Sequence, residues 1–436
     1  MADGSPAKFK ITEHVIDAQY IREYPTATVS QDAALKVVVK KYTPVDNPIP
    51  QPGDVTIIGA HGLGLPKELY EPLWEEILVQ SQQQGFRIGS IWIADIANLG
   101  ASGVVNERIL GDDRRSSVFD HPRDILHMIN LFPVRYLKRE DRVINADISP
   151  TRALLSLVHP RLFTSLVLIE PAILPTNLPL KLYAFLTLNR QDTWPSKSEA
   201  LKSSTKSYAR WDSRVLKRWN EHGYRNLQTV VSPQIDGEAK PIDGPVTLTS
   251  SIYQVAMLCL RPNFMGHTTS ALADSTEAPP HDPLMYPDII DPPHLSMPFY
   301  RSEVRVLFLM LEHIRPSVFY LFGGESQVTT PEDQAQILER TGAGIGGSGG
   351  VKHSQVKKTV LLECGHTVPM EDVAGSASLI GTWVGQSVQR WKKDELRVHQ
   401  KWTNHSTREV LTAPAKWRPM LEEALKSEAR KERSKI

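Results

Sequence analysis

Asp54-Val55-Thr56-Ile57-Ile58-Gly59-Ala60 is a run of apolar and β-branched residues that breaks into His61-Gly62-Leu63-Gly64. A short apolar run without a polar face reads as a strand buried on both sides. The glycines after it turn the chain. Residues 68–83 then show helical spacing through Leu69, Leu73, Trp74, Ile77 and Leu78. Outward from this unit the rhythm repeats. Residues 35–40 read as an early edge strand and residues 86–94 as a strand with an alternating pattern. Residues 123–131 read as a helix, and Val143-Ile144 as a short strand. The helix after that strand covers residues 151–158, with Pro150 suited to its first turn. Residues 166–170, 318–322 and 359–363 are further buried strands, and residues 373–391 form an amphipathic helix. Strands alternating with helices predict an α/β fold, a mostly parallel central sheet with helices on both faces.

Between residues 175 and 301 the alternation stops. Aromatic-rich helical text takes over, as in Trp211-Asp212-Ser213-Arg214-Val215-Leu216-Lys217-Arg218-Trp219, followed by a proline-heavy stretch from Pro279-Pro280 to Pro292-Pro293. An insertion at that point would lie over the C-terminal strand edges as a helical lid. The expected organisation is therefore core (1–174), lid (175–301), core (302–392) and a basic tail (393–436).

The bulk numbers exclude several function classes. A chain of 436 residues can bury a large core, and 50 Lys and Arg against 49 Asp and Glu leave a net charge of +1. No global field draws it to nucleic acid or a membrane. Two cysteines, Cys259 and Cys364, argue for a reducing compartment. The first residues lack the apolar run of a secretory signal, and no stretch reaches the roughly 18 apolar residues of a membrane span. These features predict a soluble intracellular protein. The terminal Ser434-Lys435-Ile436 stands one residue from S-K-L, the peroxisomal address, and predicts capture by a peroxisomal import receptor.

Catalysis in a doubly wound sheet collects at the C-terminal ends of its strands. His61-Gly62-Leu63 offers small residues there, so backbone N–H groups can approach a ligand oxygen. His366, in Gly365-His366-Thr367-Val368-Pro369-Met370-Glu371, follows the last strand and is the candidate general base. Glu170, before Pro171, is the candidate carboxylate to orient it, and Glu325 in Gly323-Gly324-Glu325-Ser326 is the rival.

Taken together, these motifs resemble a family. His61-Gly62-Leu63-Gly64, His159-Pro160-Arg161-Leu162-Phe163-Thr164-Ser165-Leu166 and Ile169-Glu170-Pro171 look like the fungal α/β-hydrolases of toxin and polyketide pathways. So do Arg210-Trp211-Asp212-Ser213-Arg214-Val215-Leu216, Phe322-Gly323-Gly324-Glu325-Ser326 and the His366 segment. That family includes acyl-CoA hydrolases of the mycophenolic acid pathway and hydrolases of the AK-, AF- and ACT-toxin pathways, both peroxisomal. The resemblance implies the α/β-hydrolase fold and no cofactor. It also implies an acyl or acyl-CoA intermediate as substrate, in biosynthesis of an epoxy-decatrienoic acid toxin.

One place departs from the pattern. The turn that carries the nucleophile in such enzymes is spelled G-x-S-x-G, and in this family G-H-S-M-G-G. Here the stretch reads Asn145-Ala146-Asp147-Ile148-Ser149. Counting back without gaps puts Ala146 in the serine's place, and one deletion puts Asp147 there. Ser149 would stand at a helix start, where a serine more often caps backbone N–H groups. Three readings follow. In the first, Asp147 is a carboxylate nucleophile, His366 activates water against the ester it forms, Glu170 holds His366 and the Ile148 amide faces the substrate oxygen, an arrangement that serves epoxide hydrolases and dehalogenases. Alternatively, His366 and Glu170 remain as a base pair for an elimination, cyclisation or isomerisation. In the third, the scaffold binds an acyl chain or a pathway partner without chemistry. Under the first reading, Tyr183, Tyr208, Tyr224 and Tyr253 are candidates to activate an epoxide oxygen.

Other features carry less. Gly342-Ala343-Gly344-Ile345-Gly346-Gly347 matches G-x-G-x-x-G, but a helix precedes it and a strand follows, the reverse of a dinucleotide site. His281, Asp282 and His294 lack metal-ligand spacing. Trp211 and Trp219 read as lid packing, and Lys392-Lys393 is offset by Asp394 and Glu395.

Overall fold

The computed structural model describes residues 7–111, 117–132, 142–147, 151–176, 180–231, 243–264, 284, 287–288, 298–400 and 405–433. In chain order the strands are β1 (Phe9–Asp17), β2 (Lys36–Pro44), β3 (Val55–Ala60), β4 (Ile88–Ala94), β5 (Arg142–Asp147) and β6 (Ser165–Ile169). They continue as β7 (Thr193–Trp194), β8 (Tyr224–Asn226), β9 (Val246–Leu248), β10 (Arg261–Pro262), β11 (Phe299–Tyr300), β12 (Ser317–Gly323) and β13 (Val356–Leu361). The helices are α1 (Glu71–Gln83), α2 (Gly100–Asn106), α3 (Asp120–Leu131), α4 (Thr151–Val158), α5 (Lys181–Leu188), α6 (Lys197–Ser207) and α7 (Ser213–His222). Then follow α8 (Ile252–Cys259), α9 (Ser302–Met310), α10 (Pro331–Arg340), α11 (Val368–Glu371), α12 (Val373–Gln400), α13 (Thr407–Leu411) and α14 (Trp417–Arg433).

The main sheet runs β1-β2-β4-β3-β5-β6-β12-β13. β2 pairs antiparallel with β1 and with β4, and every other pair is parallel, so β2 alone runs against the rest. Every residue of β3, β4, β6 and β12 is buried, which is why β3, β6 and β12 read as apolar runs. Successive side chains feed opposite cores. Ile57, Val167, Ile169 and Leu321 pack with Trp74 and Ile77 of α1 and Trp383 of α12. Ile58, Leu166, Leu168 and Tyr320 pack with Ile125 of α3, Leu155 of α4 and Leu307 of α9. Truncating Trp74 to Ala would cost about 3–5 kcal/mol in such a core.

Several boundaries differ from the sequence reading, each for a local reason. The edge is β1, not residues 35–40, because Phe9-Lys10-Ile11-Thr12-Glu13-His14-Val15-Ile16-Asp17 pairs along the whole of β2. Its charged side chains, Lys10, Glu13 and Asp17, keep an edge strand from recruiting another chain, and they also hide it from an apolar pattern. Residues 88–94 are buried on both faces rather than alternating. The fifth strand extends to Asp147, three residues past Ile144.

The segment between β6 and β12 is not helical alone. Besides α5 to α8 it holds a three-stranded sheet, β7-β9-β8, and the pair β10-β11. Its aromatics join the core: Tyr208 stacks on Trp211 at 4.0 Å, and Trp211 meets Trp219 edge-on at 5.8 Å. Accordingly it belongs to one compact unit, Met1–Val388, with the sheet, while α13 and α14 belong to a second, Gln389–Ile436. The glycine-rich loop 342–347 lies between α10 and β13, a helix before it and a strand after.

Candidate active site

Glu170 leaves β6 where Ile169 pairs with Leu321 of β12. Its φ is +49°, a left-handed conformation that costs a non-glycine residue roughly 1–2 kcal/mol and is found where a side chain must be aimed. The side chain is fully buried. Oε1 accepts the Gly323 amide at 2.6 Å, and Oε2 accepts the Ser326 hydroxyl. Oε2 also lies 3.0 Å from Nδ1 of His366. A carboxylate only accepts, so Nδ1 carries the proton in this pair and Nε2 is left as the basic nitrogen. Glycine is required at 323 for space: a Cβ there would fall 2.1 Å from the Gly365 carbonyl oxygen.

Glu325 is engaged elsewhere. It is more than half exposed and pairs with Arg210 at 2.6 Å, on a bridge that continues to Glu371 at 3.2 Å. Arg210 starts a clamp on the His366 loop. The Trp211 indole donates to Thr367 Oγ1 at 3.0 Å, and the Asp212 amide to the Met370 carbonyl at 2.8 Å. Glu371 in turn accepts the Gly365 amide and the Thr367 hydroxyl. The Arg210-Trp211-Asp212 motif therefore ties the inserted segment to the loop that presents the imidazole.

His366 and Glu170 face a cavity whose wall is mostly apolar, with Leu63, Leu65, Ile96, Leu258 and Val304 among its residues. Tyr183 also lines it, and its hydroxyl donates to the Leu63 carbonyl at 3.2 Å. Burial pushes that phenol up to about 12. Of the other candidate tyrosines, Tyr208 is stacked on Trp211, Tyr224 lies between Trp219 and the Ala200 carbonyl, and Tyr253 is half exposed. Cys259 lines the cavity too, with its thiol pushed up to about 12 by burial, so it stays protonated. Sequence reasoning missed Arg301, a buried cavity residue paired with Glu303 at 3.1 Å. It missed Ser326 as well, although the Phe322–Ser326 stretch had been singled out for its glutamate. Among the described residues, no group of three His, Cys, Asp or Glu side chains is arranged to hold a metal ion.

At the end of β3 the geometry is different. His61 is buried, and its Nε2 accepts the Ile96 amide at 3.0 Å, so Nδ1 donates to the Gly62 carbonyl at 2.9 Å. Burial holds this imidazole below its ordinary value. The Gly62 amide donates to the Tyr70 hydroxyl at 2.9 Å. Gly62 and Leu63 line the cavity, whereas the His61 ring is committed to the backbone of β4's exit loop.

The chain is 35% identical over 407 residues to the type I acyl-CoA thioesterase mpaH of Penicillium roqueforti, across 90% of this chain and 91% of that protein. The mpaH of Penicillium brevicompactum is 36% identical over 405 residues, with the same coverage. This chain belongs to the mpaH family. The abhydrolase domain-containing protein AKT2 of Alternaria alternata is 26% identical over 234 residues, 53% of this chain and 78% of AKT2. No family model matches the chain. Among solved structures, the peroxisomal alpha-beta-hydrolase Lpx1 of Saccharomyces cerevisiae aligns with 98% of the chain and 99% of its own. The TM-score is 0.65 at 16% identity, which shows the α/β-hydrolase fold. The protein is a hydrolase-like enzyme of that fold.

Within this mpaH-family chain the serine's usual position is taken by strand. Asn145 and Ala146 lie inside β5 rather than in a turn, with Ala146 paired to Gly59 and Val167. Asp147 ends the strand, paired with Ala60 of β3 and Leu168 of β6. Those neighbours stand one residue before His61 and two before Glu170, so the backbone of Asp147 reaches the sheet edge between both loops. Ile148, Ser149 and the tail residues Ser434, Lys435 and Ile436 lie outside the described residues, as do His281, Asp282 and His294.

Proposed function

We propose that the protein hydrolyses an acyl thioester of coenzyme A, with His366 as general base and Glu170 as the carboxylate that orients it. The 3.0 Å contact between His366 Nδ1 and Glu170 Oε2 on the wall of an apolar cavity carries this reading. The acyl-CoA thioesterase activity named for the Penicillium relatives supports the choice of bond. The Leu63 amide is the donor assigned to the substrate carbonyl oxygen.

Asp147 is the assigned nucleophile. Its carboxylate attacks the acyl carbon, forming a C–O bond as the C–S bond breaks and the thiolate leaves. His366 Nε2 then takes a proton from water as that water attacks the mixed anhydride. The imidazolium returns the proton to the thiolate, which leaves a carboxylic acid, a thiol and a regenerated Asp147. The proposal extends to a peroxisomal site and to an acyl or polyketide-derived intermediate of toxin biosynthesis. The Ser434-Lys435-Ile436 sequence and the likeness to AKT2 support those parts.

The missing elbow serine favours a second reading, in which the His366 and Glu170 pair performs a non-hydrolytic proton transfer. Thiol release from a panel of acyl-CoAs separates the two. Hydrolysis that Asp147→Asn lowers by about a thousandfold or more supports the nucleophile. Hydrolysis that survives this change shows water attacking directly under His366. A chain that releases no thiol from any acyl-CoA is not a thioesterase.

A further inference from the structure

Helix α5 turns its apolar stripe outward. Leu182, Phe185 and Leu186 share one face at i, i+3 and i+4, and are 56%, 63% and 56% exposed. Leu188 at the helix end is exposed as well. The opposite face carries Ala184 and Thr187, both buried, and Tyr183 over the cavity. Single exposed apolar residues are ordinary, whereas three large ones on one helix face form a contiguous patch of the size that often serves as an interaction site.

Along the chain, the charge next to the stripe is basic until Asp192. From Pro171 to Gln191 the sequence holds no Asp or Glu, while Lys181 and Arg190 flank the helix. The stripe is also small. Two turns of helix offer roughly 300 Å² of apolar surface, short of the roughly 800 Å² per partner that a stable protein interface buries. An exposed apolar helix face with basic residues at its flanks has no such requirement when it lies in the headgroup boundary. We propose that α5 docks the protein on an anionic lipid surface, with Leu182, Phe185 and Leu186 inserted among the acyl chains. Docking is independent of catalysis and goes beyond the proposed thioesterase activity. Its consequence for that activity is geometric: Leu180 and Tyr183, next to the stripe, line the cavity, so a docked α5 sets the cavity beside the bilayer.

The test is cosedimentation of the full chain with vesicles of phosphatidylcholine mixed with phosphatidylserine, and with phosphatidylcholine alone. The wild type is expected to bind the mixed vesicles and to weaken with salt. Phe185→Ser should lower the partition about tenfold, and the triple Leu182→Ser, Phe185→Ser, Leu186→Ser change should abolish it. These exposed sites should leave the melting temperature unchanged, which separates lost binding from lost folding. No binding by the wild type, or equal binding by the triple variant, overturns the proposal. A wild-type dimer in sedimentation that the triple variant converts to monomer also overturns it, in favour of a second copy of the chain. Thiol release is read in parallel without vesicles, so failure to dock and failure to hydrolyse remain separate results.

Discussion

His61 and His366 each follow a strand of the same sheet, and each adjoins a glycine, yet the fold makes them opposites. Both nitrogens of His61 are bonded to backbone groups, and burial keeps the ring neutral. His366 is fixed at one nitrogen only, by a buried carboxylate, and its side chain is 37% exposed at the cavity. The difference shows that the role of a histidine is set by which ring nitrogens the backbone has already claimed. One ring holds a loop in place, and the other is held so that its free nitrogen can act.

Breaking the carboxylate contact should have the largest effect on this contrast. Glu170→Gln presents an amide that cannot accept from His366 Nδ1–H and the Gly323 amide as a carboxylate does. The turnover number in acyl-CoA hydrolysis should fall by about a hundredfold to ten-thousandfold. A fall below tenfold would place the orienting group elsewhere. His61→Ala sharpens the other side. It strips the Ile96 amide of its buried acceptor and should cost about 1–3 kcal/mol in urea unfolding. Turnover at a temperature where the variant stays folded should change by less than about tenfold.

The same ring predicts a pH effect. Its folded value is lowered, so the unfolded chain takes up a proton below about 6.5 while the folded chain does not. Stability contributed by His61 is therefore present above that pH and lost as the pH falls toward the folded value. Unfolding free energy between pH 7.5 and 5.5 should decline less steeply in His61→Gln than in the wild type. An identical slope would mean that the ring is not buried neutral. The smallest effect belongs to Glu325→Gln, which removes an exposed, solvent-screened ion pair and should leave the unfolding midpoint unchanged. A loss of turnover comparable to that of Glu170→Gln would restore Glu325 as the orienting acid.

Much of this was legible in the residues. The apolar runs at residues 54–60, 166–170 and 318–322 could only be doubly covered strands, and they fixed the parallel sheet. β1 escaped because polar and charged residues interrupt its apolar ones without a clean period, and its partner β2 follows only after eighteen intervening residues with no hairpin signal. The choice between Glu170 and Glu325 was equally beyond a linear reading, since both follow a strand and a turn. Only space separates them: the left-handed backbone of Glu170 aims its side chain beneath Gly323, and Arg210, more than a hundred residues earlier than Glu325, occupies the rival. The inserted segment read as helical because its strands are two or three residues long, too short to show a period.

The most direct measurement is thiol release from an acyl-CoA by His366→Ala, with and without added imidazole. A chain whose base is this side chain should lose turnover by about a hundredfold to ten-thousandfold and recover part of it as imidazole enters the vacated site. Unchanged turnover in His366→Ala would contradict the account, because the water would then be activated by a group other than the imidazole that Glu170 orients.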